Sequence, residues 1–100
     1  MSRKGRIKIP HDAFETFINI ARKENGDTHE LLCYFLGEKG KVDTILLPKQ
    51  ERKPSSVFDH GKKSKFYSLQ KSNFTCIISG YFEPKGHWYF NIKEFPVVGC

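Results

Sequence analysis

Four histidines (His11, His29, His60, His87), three cysteines (Cys33, Cys76, Cys100) and the carboxylates Glu30 and Asp59 are the residues of this 100-residue chain with chemistry beyond packing. A catalytic zinc ion needs about three protein ligands and an open position for water. No two histidines stand at metal-ligand spacing, so a zinc site would have to gather Asp59, its neighbour His60 and the distant His87. The histidines read instead as exposed, partly titrating side chains. An odd cysteine count without a CxxC pair indicates neither a disulfide framework nor a zinc ribbon. Cys33 and Cys76 lie in apolar runs and read as buried thiols, and nothing local points to an activated thiolate at Cys76 or Cys100. Gly-rich phosphate loops, the GxSxG elbow and kinase signatures are absent from the sequence. Ser56 and Asp59 have the chemistry of a turn, since both residue types bond their own backbone. Asn73-Phe74-Thr75 matches a glycosylation sequon, inert without a signal peptide.

The elements that must position these residues follow from periodicity. Ile7 and Ile9 alternate with Arg6 and Lys8, as in a short strand stopped by Pro10. Ala13, Phe14, Phe17, Ile18, Ile20 and Ala21 recur at helical spacing, which predicts an amphipathic helix. Asp12 is its expected N-cap, with Glu15 in a capping box, and Gly26 its expected left-handed C-terminal residue. Glu30 to Leu36 is apolar without alternation, the pattern of a strand covered on both faces. Lys41 to Leu47 returns across the turn at Gly37–Gly40 as a hairpin, and Pro48 ends it. The polar, lysine-rich connection 51–73 is long for a structureless loop, and Ser64 to Lys71 is expected to be helical. Phe74 to Tyr81 and His87 to Phe95 form a second hairpin, with Trp88 and Phe90 on one face and Tyr89 and Asn91 on the other. The fold class is α+β: one domain over 1–100, a small mixed or antiparallel sheet, and one main N-terminal helix packed on it.

Charge narrows the partners. The net +6 divides into a basic tail, residues 1–6, and a lysine cluster in 51–70, while residues 11–30 carry five acids against two bases. The longest apolar run, Leu31 to Leu36, is far short of the about 20 residues that cross a bilayer, so no membrane insertion is expected. No apolar signal core follows the basic start, and the expected location is cytoplasmic or nuclear. A nucleic-acid module using Arg3, Lys4, Arg6, Lys62, Lys63 and Lys65 with Trp88 and Tyr89 is one reading of this pattern. A solvated basic loop beside a small aromatic core is the other.

Ile9 through Gln50 resembles the opening of the JAMM (MPN-type) metallo-isopeptidases, in particular the AMSH-like deubiquitinases. The resemblance rests on Pro10 at the start of a Phe- and Ile-rich helix, on Glu30 opening an apolar strand closed by Gly37, and on a following strand that ends Leu47-Pro48-Lys49-Gln50. Cys33 stands where the family usually has Gly. Ser55-Ser56-Val57-Phe58-Asp59 is similar to the family's Ser-x-x-Asp element, read as Ser56 and Asp59. About three-quarters of the chain is covered. The resemblance implies an MPN-like fold and zinc-dependent isopeptide hydrolysis, with Glu30 as general base, Ser56 in the catalytic site and Asp59 a zinc ligand beside His60. The family's His-x-His-Pro zinc motif is missing, because only Glu51-Arg52-Lys53-Pro54 precedes Ser55. The reading is therefore a shortened, non-catalytic relative with no cofactor, or with zinc only if the family activity survives. Its expected partner is ubiquitin or another protein subunit.

Overall fold

A computed structural model describes residues 8–38, 41–72, 74 and 76–91. Its centre is strand β1 (Leu31–Glu38), in which every residue from Leu31 to Gly37 is buried. Such a strand needs neighbours on both edges and layers on both faces. β2 (Lys41–Leu46) pairs with it antiparallel on one edge and β5 (Cys76–Glu83) antiparallel on the other. β6 (His87–Asn91) adds outside β5, giving the order β2-β1-β5-β6. The α+β class with a small sheet and an N-terminal helix stands.

Alternation in β1 feeds two cores. Leu31, Cys33 and Phe35 face α1 (His11–Lys23) and meet its Phe17 and Ala21. The Phe17 ring lies 5.3 Å from Phe35 and 6.1 Å from Phe82, both edge-on. Gly80 makes this layer possible: a Cβ there would come within 2.5 Å of Phe35 Cε1, so the aromatic ring lies directly over the strand. Leu32, Tyr34 and Leu36 face the opposite way. They are covered by Val57 of the short hairpin β3 (Glu51–Lys53) and β4 (Ser56–Phe58), and by Phe66 and Leu69 of α2 (Lys62–Lys71). The polar connection is thus a folded second layer, with a helix where Ser64 to Lys71 suggests one.

Three local expectations are corrected. Asp12 is not the N-cap of α1: Pro10 occupies that position without a side-chain cap, because its carbonyl already accepts from Phe14 N–H at 3.1 Å. Asp12 lies within the first turn, where a carboxylate interacts favourably with the helix dipole. At the other end Asn25, not Gly26, takes the left-handed conformation (φ 59°). Gly26 N–H then closes on Ala21 O at 2.6 Å, the six-to-one bond of a Schellman turn, where a Cβ would lie 2.8 Å from that same carbonyl. Cys76 is not a free thiol but disulfide-bonded, to a partner outside the described residues, a pairing that spacing along the chain does not reveal. Cys33 is free and buried, its thiol pushed up to about 12 by burial. Of the expected first strand only Lys8 and Ile9 are described, with Lys8 bridging Lys41 in parallel. The extension of the last strand to Phe95 lies outside the described residues.

Candidate functional site

Asp59 follows β4, and the turn built by its own carboxylate delivers it to the sheet. Gly61 N–H donates to Asp59 Oδ1 at 2.9 Å, and Lys62 N–H donates to the Asp59 carbonyl as α2 begins. Asp59 is only 3% exposed, yet it is fully provided for. Tyr34 Oη donates to Oδ2 at 2.7 Å, and Lys65 Nζ donates to the same oxygen at 3.0 Å. Burial pushes the Asp59 carboxyl upward, but the hydrogen bonds from Tyr34, Lys65 and Gly61 N–H outweigh it and hold the group below its ordinary value. The Tyr34 phenol moves up through burial and its bond to that carboxylate. Half-buried Lys62 is lowered by its own desolvation, which the Asp59 charge opposes.

A shallow depression of about 390 Å³ opens beside this anchor, lined by Lys49, Gln50, Glu51, Asp59, His60, Gly61 and Lys65. His60 turns away from the carboxylate. Its Nε2 meets Glu51 Oε1 at 2.8 Å and its ring stands edge-on to Phe58 at 4.5 Å, both in exposed surroundings. Ser56 is exposed on β4, opposite Lys53. These residues do not fit a zinc ion. Asp59 already holds an ammonium cation on Oδ2, and His60 faces Glu51 instead of the same point. Among the described residues the one group of three or more His, Cys, Asp and Glu ligands within 4.8 Å of one another is His11, Asp12 and Glu15, exposed on the first turn of α1. The positive end of the helix dipole opposes a cation there.

Glu30 sits elsewhere. It is 7% exposed, and its backbone is pinned: its N–H donates to Lys53 O at 2.9 Å, and Arg52 Nε donates to its carbonyl at 2.8 Å. The other two guanidinium nitrogens of Arg52 reach Glu24 O and His29 O, tying the end of α1 to the start of β1. The Glu30 carboxyl is raised first by burial and then by the Glu83 charge. Glu83, Tyr81 and Tyr89 are its electrostatic neighbours, while those of Asp59 are Tyr34, Lys65 and Lys62. The structure thus brings Asp59 and His60 together and leaves Glu30 and Ser56 apart from them.

A raised carboxyl binds its proton more tightly in the folded state. Its contribution to stability is complete below the unfolded value, near 4.3, and is lost as pH rises through the folded one. Glu30→Gln is therefore expected to stabilise the protein at pH 7 by about 0.5–1 kcal/mol, the size of a like-charge cross-strand pair. Urea unfolding of both forms at pH 4 and pH 7 measures it, and a less stable variant at pH 7 refutes it.

The lysines and aromatics of the nucleic-acid reading are dispersed. Lys65 is held by Asp59 and Lys62 is half-buried, which leaves Lys63 the exposed member of the cluster. Trp88 packs edge-on to Phe14 at 4.7 Å, while Tyr89, its neighbour on a strand, points to the other face and stacks on Tyr81 at 4.9 Å. Arg3, Lys4 and Arg6 lie outside the described residues.

Three residues act as polar anchors with no local signal in the sequence: Tyr34 inside the apolar run of β1, Arg52 in the polar connection, and Gln50 after Pro48. The β2 ladder on β1 reaches no further toward the β1 start than Tyr34↔Leu46. There Gln50 takes over: its Oε1 accepts from Leu32 N–H at 2.8 Å, and its Nε2 donates to Leu32 O at 2.9 Å and Pro48 O at 2.8 Å. No family model, no curated protein and no solved structure matches this chain.

Proposed function

We propose that this chain is a JAMM/MPN-like domain that acts through protein interaction, with ubiquitin or a partner subunit, and does not hydrolyse isopeptide bonds. The observation that carries the reading is the internally bonded Asp59 carboxylate, both of its oxygens engaged by Tyr34, Lys65 and Gly61 N–H. By resemblance that carboxylate corresponds to a metal ligand, and here an internal ammonium stands in for the metal charge. A hydrolytic water near neutrality needs a metal to acidify it, and Glu30 has Glu83 and two phenols, not the Asp59 carboxylate, as its electrostatic neighbours.

Calorimetric zinc titration together with incubation of Lys-linked diubiquitin tests the catalytic half. The expected result is no stoichiometric zinc binding at micromolar concentration and no cleavage. Tight zinc binding with cleavage overturns it. The interaction half is tested by mapping amide shifts of labelled ubiquitin against the unlabelled chain. A localised set of perturbed residues is expected, and an unperturbed spectrum at high excess removes ubiquitin as the partner.

A further inference from the structure

The far end of the sheet, away from Asp59, carries a second constellation. The β1–β5 ladder opens with Leu31 opposite Phe82, and one further step in that register sets Glu30 against Glu83. Tyr81 lies opposite Tyr89 in the β5–β6 ladder, and Glu83 lies opposite His87. Residues two apart on a strand share a face. Glu30, Glu83, His87, Tyr81 and Tyr89 therefore form two adjacent rows on one side of the sheet.

Two carboxylates meet there without a cation among the described residues. Glu30 is buried to 7% exposure, and its side chain makes no hydrogen bond or ion pair with any described residue. The same holds for the Glu83 side chain. The guanidinium of Arg52, bonded to the Glu30 carbonyl, has each of its three nitrogens bonded to a backbone oxygen, and none to a carboxylate. This is an unusual place to find an uncompensated acid pair, because the chain as a whole carries +6. Beside it Tyr81 and Tyr89 stack almost parallel, with ring centroids 4.9 Å apart and planes at 12°. Tyr89 is 44% exposed and presents ring surface to solvent.

We propose that this acid-and-tyrosine notch receives the guanidinium group of an arginine side chain from a partner protein. A planar guanidinium donates in a fork to neighbouring carboxylate oxygens while its face lies on an aromatic ring, and both acceptors are present here. An ammonium point charge takes the carboxylates but gains less from the ring. A metal ion is a poorer fit, since Glu30, Glu83 and His87 do not bring three ligand atoms within 4.8 Å. β6 is the outer strand of the sheet order, so an extended partner segment running beside it passes over Tyr89. The site also has something to gain from a cation: burial and Glu83 raise Glu30, and burial followed by Glu30, Tyr81 and Glu83 raises the Tyr89 phenol. This proposal shares with the function above only the idea of a protein partner, and it is tested without ubiquitin.

The test is a titration of the isotope-labelled chain with L-argininamide, with L-lysinamide and with zinc chloride in parallel. The side-chain carboxyl carbons of Glu30 and Glu83 and the ring of Tyr89 are observed by NMR. Saturable shifts at these three residues with argininamide are expected, several-fold weaker with lysinamide and weakening as salt is raised. Tyr89→Ala is expected to lower the argininamide affinity about fivefold through loss of the ring contact. Glu83→Gln, at a half-exposed strand end, is expected to fold and to abolish the response at Glu30. Absence of saturable shifts overturns the proposal. Equal affinity for lysinamide, or a response confined to zinc, overturns the guanidinium assignment.

Discussion

Asp59→Ala lowers the unfolding free energy by about 3–5 kcal/mol, the largest single-residue effect expected outside the aromatic core. For a domain of this size that corresponds to a fall in melting midpoint of roughly 12 °C or more. Truncation strands two partners at once, one buried and one half-buried. The Tyr34 hydroxyl, on a residue 1% exposed, loses its acceptor, and the Lys65 ammonium, with its side chain 25% exposed, is left beside the Tyr34 ring without a counter-charge. Tyr34→Phe removes one donor but leaves Lys65 and Gly61 N–H in place, so its cost is expected to be about 1–2 kcal/mol. Thermal and urea unfolding of the three forms measure the ranking. A purely metal-ligating Asp59 behaves differently, because the loss then appears only when zinc is supplied. An Asp59→Ala protein as stable as the parent in metal-free buffer refutes the anchor.

The same residue shapes the acid limb of stability. The folded Asp59 carboxyl lies below its ordinary value, so its contribution is fully present above the unfolded value, near 3.9. It drains away as pH falls through the folded one. Asp59→Ala is expected to flatten stability against pH below about 4. Glu30 bends the curve the other way, through a window that starts near 4.3 and runs upward.

Gln50→Leu is expected to cost about 3 kcal/mol. It leaves the Leu32 N–H and carbonyl without partners inside a strand that is buried from Leu31 to Gly37, and each such loss costs about 1–3 kcal/mol. The glutamine amide behaves there as one borrowed peptide unit. Its acceptor and donor face Leu32 as a neighbouring strand would, just where Pro48 has turned the chain away from the ladder. Hydrogen exchange separates this clamp from a general loss of stability. The Leu32 amide should exchange at least tenfold faster relative to Phe35, whose amide faces the other edge and keeps its β5 partner Ile78. Equal acceleration at the two amides means that Gln50 contributes no local protection.

Much of this architecture was legible along the chain because its causes are local. The spacing of Phe14, Phe17 and Ala21 specifies a helix face, and the unbroken apolar run from Leu31 specifies a strand covered twice. Pro48 ends β2 for lack of an N–H. The helix ends lie two residues from expectation at the start and one at the finish, because cap geometry is decided by competition. The Pro10 carbonyl captured the first turn before Asp12, and Asn25 tolerated the left-handed conformation that Gly26 was expected to supply. Tyr34 and Arg52 were missed as polar anchors because their partners lie 25 and 22 residues away in sequence, at Asp59 and at the Glu30 carbonyl.

The basic balance, the histidine spacing and the carboxylates at 30 and 59 are properties of the sequence by itself. They bound the protein to a small α+β domain whose histidines do not pair. Which of its acids are satisfied was a matter for the tertiary structure. Glu30 and Asp59 are the same kind of group, both nearly enclosed, yet one meets a hydroxyl, an ammonium and an amide, while the other meets a second carboxylate and two phenols. Charge is written in the chain. Its compensation depends on which strand lies beside which, and the folded sheet fixes that through burial and register.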